Sequence, residues 1–143
     1  MAYRDLHNNV DIVAVVPSIA VGTTGTGQTG SVIDTRGYDA VELAINYGAI
    51  TATAATFTVT VLEGDVTGTM TSVATADLLG TESAAGLAAA TRTDGSTEKV
   101  AKRIGYIGSK RYLRVDVEST ATAGTPVGVV AVLAKAARAP VAT

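Results

Sequence analysis

Cysteine and tryptophan are absent from this sequence of 143 residues, which carries one phenylalanine, Phe57, and one histidine, His7. Missing thiols exclude disulfides, thiolate metal sites and a cysteine nucleophile. Missing tryptophan leaves a sugar-binding cleft short of flat aromatic platforms. A serine–histidine pair has a single candidate base, His7, beside Asp5 and Asp11 in a segment that suggests no rigid pocket. Excess charge is lacking too. Eleven Lys and Arg stand against thirteen Asp and Glu, a net charge of −2, so there is no general attraction to nucleic acid. No apolar run approaches the ~20 residues of a membrane-spanning helix. The opening Met1-Ala2-Tyr3-Arg4-Asp5 lacks the apolar stretch of a secretory leader and Asp11 interrupts the next candidate, so export by the usual path is not expected.

What remains is a chain of Val, Ile, Leu, Ala and Thr. Its length fits one domain, typically ~100–150 residues, and is enough for a core without staples. Small side chains make that core thin. At about 25 cal/mol per Å² buried, part of the stability is expected to come from partner subunits.

Period-two alternation dominates, the mark of half-buried strands. Residues 41–47 put Val41, Leu43, Ile45 and Tyr47 on one face and Glu42, Ala44 and Asn46 on the other. Residues 56–63 repeat the pattern with Phe57, Val59 and Val61, and residues 111–118 with Leu113, Val115 and Val117. Residues 127–133 are apolar on both faces and read as a central strand. Residues 10–16, 31–34 and 99–104 complete the set. Connections are expected at 22–30, 47–49, 63–65, 105–109 and 122–126. Residues 67–95 read as a long excursion with at most a helical turn or two, near 83–90. The expected fold is all-β: an antiparallel sandwich, jelly-roll-like, or a barrel of six to eight strands. Residues 1–143 form one domain, with an extended N-terminal arm at 1–9 and a C-terminal tail at 134–143.

Motifs with chemistry are scarce. Gly25-Thr26-Gly27-Gln28-Thr29-Gly30 fits the dinucleotide pattern, but that pattern must open a helix and have an acidic residue about 20 positions on. A short β run follows instead, so the glycines read as a loop. Glu63 and Asp65 are the tightest acidic pair and read as part of a turn. No catalytic residue, cofactor or metal is expected, and the chain is expected not to be an enzyme.

The basic cluster is more informative. Lys99, Lys102, Arg103, Lys110, Arg111 and Arg114 are six of the eleven bases, while residues 1–65 hold seven acids against Arg4 and Arg36. Three readings stay open: a solvated hairpin face, docking to an acidic protein surface or a neighbouring copy, and nucleic acid with Tyr106 and Tyr112 as stacking groups.

Gly105-Tyr106-Ile107-Gly108-Ser109-Lys110-Arg111-Tyr112-Leu113-Arg114-Val115 resembles a recurring stretch in small head proteins of tailed bacteriophages. Residues 39–48 and 57–65 share the likeness, as do 129–133 with 138–140, so it spans most of the chain from 31 to 140. The resemblance implies a capsid decoration or cement protein on the outer surface of the virion, made in the host cytoplasm. It also implies dimers or trimers that bridge neighbouring major capsid subunits, with no catalytic residues to carry over. A head–tail joining or tail-tube protein is the rival within that class; a host-facing carbohydrate-binding module is the rival outside it. Charge and pattern nominate Lys99, Lys102, Arg103, Lys110, Arg111 and Arg114 as protein contacts, together with Tyr3 and Arg4 in the arm. The expected partners are the major capsid protein and further copies of this chain, not membrane or nucleic acid.

Overall fold

The computed structural model describes residues 6–20, 27–48, 56–87, 100–119 and 125–137. In chain order the strands are β1 (Val10–Ala20), β2 (Gly27–Thr29), β3 (Ile33–Asp34), β4 (Tyr38–Tyr47), β5 (Phe57–Val66), β6 (Thr69–Ser72), β7 (Leu78–Leu79), β8 (Val100–Tyr106), β9 (Tyr112–Ser119) and β10 (Pro126–Ala136). They form two antiparallel sheets. Sheet A runs β1-β10-β4-β8-β7; sheet B runs β2-β9-β5-β6, with β3 also on β9. This is a sandwich, and no barrel closes among the described residues.

Alternation decides the core. Val41, Leu43, Ile45, Phe57, Val59, Val61, Leu113, Val115 and Val117 are all at most 7% exposed. A one-residue slip in any of these strands would turn its whole set outward, so the pattern fixes register as well as face. Strand β10 lies between β1 and β4, as its two apolar faces suggest, and buries Val127, Val129, Ala131 and Leu133. At one end the Tyr47 and Phe57 rings meet at 5.6 Å between centroids. The Tyr47 hydroxyl donates to the Ala85 carbonyl at 2.9 Å, and burial pushes its phenol well above the usual range.

Several connections differ from the expected ones. The glycine-rich stretch is partly strand: β2 pairs with β9, with Gln28 opposite Val117. Its last glycine marks a close approach. The Gly30 N–H donates to the Val115 carbonyl at 2.9 Å, and a Cβ there would stand 2.3 Å from that oxygen. The next N–H, of Ser31, crosses to the Val15 carbonyl at 2.8 Å and laces the two sheets along one side. Glu63, Gly64 and Asp65 do not end a strand. They lie within β5 at a register shift against β6, where a Cβ on Gly64 would meet the Thr69 carbonyl at 2.4 Å. The tail starts later than 134, because β10 continues to Ala136 opposite Tyr38. Of the arm, residues 1–5 lie outside the described residues; Leu6 and Asn9 close a turn at 3.1 Å.

The excursion holds more order than expected: β6, β7, a 3-10 turn at Thr75–Asp77 and a short helix α1 (Glu82–Ala85). Thr81 caps that helix by accepting the Ala84 N–H at 3.1 Å. The helix ends before Gly86, where a Cβ would sit 2.5 Å from the Phe57 carbonyl. Residues 88–95 lie outside the described residues. This segment covers the open edge of β5. Phe57 and Leu87 exchange backbone hydrogen bonds, Val73 donates to the Val61 carbonyl, and the Glu82 carboxylate accepts the Val61 N–H at 2.6 Å. An unpaired strand edge invites association; here side chain and backbone close it.

Candidate functional site

The basic cluster is distributed over β8, the hairpin loop and β9, and most of it faces acids of the same chain. Arg111 grips Asp34 with both prongs, Nε to Oδ1 at 3.0 Å and Nη2 to Oδ2 at 2.7 Å. That bond, more than anything else, holds the Asp34 carboxyl below its ordinary value. The guanidinium also lies 4.8 Å from the centre of the Tyr112 ring. Lys110 pairs with Asp65, which raises the ammonium pKa. Arg103 sits 3.8 Å from Glu42 but is 83% exposed. Arg114 reaches Asp116 at 3.0 Å, and Asp116 in turn accepts the Gly30 N–H at 3.2 Å. Lys102 is half-buried on β8 opposite Ile45, on the inward parity of Ile104. Lys99, Tyr3 and Arg4 lie outside the described residues.

The hairpin loop is pinned from beneath. The Tyr106 hydroxyl donates to Glu63 at 2.5 Å and accepts the Lys110 N–H at 2.9 Å. Gly108 lies over that phenol, where a Cβ would come within 2.4 Å of the hydroxyl oxygen. Burial and the Glu63 bond push the Tyr106 pKa up strongly. The run from Gly105 to Arg111 is therefore explained by loop closure: a buried tyrosine, a glycine above it and two cations tied to Asp65 and Asp34.

A second surface was not foreseen from the sequence. The outward residues of sheet A form four cross-strand rows. One is Val10, Ala134 and Ala40; the next Ile12, Val132, Glu42, Gly105 and Leu79; then Ala14, Val130, Ala44 and Arg103; and last Gly128, Asn46 and Ala101. Every aliphatic side chain in these rows is half-buried or exposed, and Ile12 and Leu79 are 68% and 56% exposed. Glu42 and Arg103 are the only charged residues in the rows. The glycines keep the face low: a Cβ on Gly105 would meet the Glu42 carboxylate at 2.8 Å, and one on Gly128 the Ser18 hydroxyl at 2.5 Å. A shallow groove of about 300 Å³ runs over Ala14, Ala44, Gly128 and Val130. Sheet B turns Thr58, Thr60, Arg114, Asp116 and Glu118 outward instead. The sandwich thus has one wet side and one apolar side. The signal was present as the second apolar parity of β10, but without strand order it only says that β10 is central.

Among the described residues no group of three or more His, Cys, Asp or Glu is placed to hold a metal ion. None of their helices is long and apolar enough to cross a membrane.

No family model and no curated protein matches the sequence. Solved structures align over most of the chain at low identity. The capsid of Ralstonia phage GP4 aligns over 94% of this chain and 89% of that one, at 12% identity and a TM-score of 0.47. The CBM22-1 xylan-binding domain of Paenibacillus barcinonensis Xyn10C aligns over 94% and 88%, at 13% identity and 0.41. Xylanase10C from Cellvibrio japonicus aligns over 91% of this chain, at 15% identity and 0.43, and the chain spans 28% of that protein's length. At these scores the alignments do not choose between a capsid component and a carbohydrate-binding module.

Proposed function

We propose that this chain is a non-enzymatic structural protein of a tailed-phage particle, one that decorates the capsid and stabilises it by bridging major capsid subunits. The observation that carries the reading is the apolar outer face of sheet A. A monomer in water has no use for a sheet whose second face is also apolar, because burying that area against protein is favourable at about 25 cal/mol per Å². Small, flat residues suit sheet-on-sheet contact. They suit a small-molecule pocket poorly, since such sites are concave with a few convergent polar groups. The basic cluster has a lesser role in this reading. Among the described residues of the cluster four cations already face carboxylates of the same chain and Lys102 is half-buried on the inward parity, which leaves the exposed side of Arg103 to steer association. The phage-head resemblance supplies the particle. It lies on β4, β5, β8, β9 and β10, the frame of the sandwich, and so supports the scaffold more than any one contact.

The test is location. Cryo-electron microscopy of the phage particles should show many copies spread over the outer shell. A single ring at the portal would replace this reading with head–tail joining. Absence from the particle, with binding to a glycan array, would replace it with a carbohydrate-binding module.

A further inference from the structure

We infer that copies of this chain join side by side, the free edge of β1 in one copy adding to the free edge of β8 in the next, so that sheet A continues from copy to copy. The contact uses strand edges rather than the outer face of sheet A, so it goes beyond the reading above and is tested apart from it.

The hydrogen-bond phase shows where the edges are open. In an antiparallel sheet a residue's N–H and carbonyl face the same neighbour, and successive residues alternate. The Gly48 N–H donates to the Pro126 carbonyl at 2.8 Å, in register with Tyr47 opposite Val127. Even-numbered residues of β10 therefore bond β4, while Ala131 and Leu133 bond Val13 and Asp11. That leaves Val10, Ile12 and Ala14 with backbone groups turned outward. The Ile12 N–H bears this out, since it donates to the Asp11 carboxylate at 2.8 Å. Carried across β4, the same phase turns Ala101, Arg103 and Gly105 of β8 outward. Gly105 is taken by Leu79 of β7. Among the described residues no strand lies beyond Ala101 and Arg103, and none beyond β1.

The two edges fit each other. Direction alternates from β1 through β10 and β4 to β8, so β8 of one copy and β1 of a copy shifted along the sheet are antiparallel. Setting Ile12 opposite Ala101 and Val10 opposite Arg103 matches open backbone with open backbone and keeps outer-face side chains together. The same register puts Asp11 opposite Lys102, both half-buried on the inward parity. Asp11 meets no cation, and Lys102 no carboxylate, among the described residues. Opposite charges facing each other across adjacent strands are favourable and like charges are not. Strand β8 therefore takes β1 rather than a second β8, and β1 takes β8 rather than a second β1. Moving β1 two residues toward β7 would set Val10 against Gly105, whose edge Leu79 already holds. Moving it two residues the other way sets Asp11 against Val100 and loses the ion pair. One register thus satisfies the backbone, the charges and the space left by β7. The contact is heterologous, so it does not stop at two copies.

Proline tests the edges. The wild-type chain in sedimentation velocity, raised to ~1 mM so that weak contacts register, should show dimers and then longer runs. Ile12→Pro removes an N–H that faces away from β10, so the fold is kept while the β1 edge loses its donor. Ala101→Pro does the same to β8. Each variant alone should stay monomeric. Their equimolar mixture should form heterodimers and nothing larger, because each chain retains one intact edge. Charge tests the register. Asp11→Lys alone and Lys102→Asp alone should be monomeric, whereas the two mixed, or both changes in one chain, should recover association. Circular dichroism checks that each variant is folded. A wild type monomeric at every concentration, or an Ala101→Pro variant that dimerises alone through β1, overturns the inference. A proline mixture that stays monomeric overturns it too. Single charge variants that associate like the wild type, or that fail to recover when mixed, overturn the register and the inference with it. None of these outcomes depends on whether the particle carries the chain, so this inference and the proposed function fail separately.

Discussion

Replacing Glu82 with alanine is the most direct probe of how the sandwich closes its second edge. Val61 is fully buried at the middle of β5, and it turns both backbone groups away from β9. Its carbonyl is taken by Val73, and its N–H by the Glu82 carboxylate at 2.6 Å. Removing the acceptor strands a buried donor beside a carboxylate-sized gap. A hydrogen bond to a charged partner is worth about 1.5–3 kcal/mol, and an orphaned buried donor costs about 1–3 kcal/mol. The expected loss is ~2–3 kcal/mol. At about 2–4 °C per kcal/mol for a domain of this size, the melting temperature should fall by roughly 5–10 °C. Glu82→Gln keeps an acceptor oxygen and gives up only the charge, so it should lose ~1 kcal/mol. Urea unfolding followed by circular dichroism gives both values, and an unchanged m-value keeps the comparison valid. Amide exchange at Val61 should quicken in the alanine variant before the core amides do. An alanine variant within ~0.5 kcal/mol of wild type, or no difference between Ala and Gln, would refute the idea that this carboxylate plugs the edge.

Other outcomes follow from single contacts. Gly30→Ala should cost at least ~3 kcal/mol, because the new methyl meets a backbone carbonyl that cannot move aside. Gly68→Ala, with nothing within 4 Å, should be within ~0.5 kcal/mol of wild type; urea unfolding checks both. Stability should fall above pH 10.0, the ordinary phenol value, because buried Tyr47 keeps its proton when folded and releases it when unfolded. Tyr47→Phe should flatten that alkaline slope in melts taken at rising pH. Arg111→Ala should return the Asp34 carboxyl toward 3.8, as NMR titration will show. In the wild type the lowered value means that this pair's contribution is present above pH 3.8 and fades as pH falls through the folded value. The effect on stability should be small and screened by salt, since both partners are well exposed.

Alternation made the core legible because one residue type repeats on one face of each long strand. What escaped lies where that signal is too short or too local. Strand β7 has two residues, Leu78 inward and Leu79 outward, and Leu-Leu reads as nothing in particular. The Thr-Met-Thr-Ser run of β6 has no apolar face and is strand only because β5 lends its edge. Strand β2 depends on Gly30 lying tight against Val115, a contact made 85 residues away in sequence. The apolar outer face escaped for a different reason. Ala40, Ala44, Ala101, Val130 and Val132 come from three segments, and only the order β10-β4-β8 makes them neighbours.

The charge asymmetry was visible from the start, and its meaning changes with the fold. An acidic front half and a basic back half suggest a complementary partner. The structure shows that three of the front acids, Asp34, Glu42 and Asp65, meet Arg111, Arg103 and Lys110 within one molecule. Antiparallel pairing brings distant segments side by side, so β4 meets β8, and the ends of β3 and β5 come to the ends of β9. Opposite charge between segments far apart in sequence is therefore first a record of strand pairing. Only the remainder is available to a partner. Among the described residues of sheet A that remainder includes Arg103, the cation whose own carboxylate lies at 3.8 Å and whose strand borders the apolar face. Steering charge and packing area thus coincide on sheet A, where a contact can be both oriented and buried.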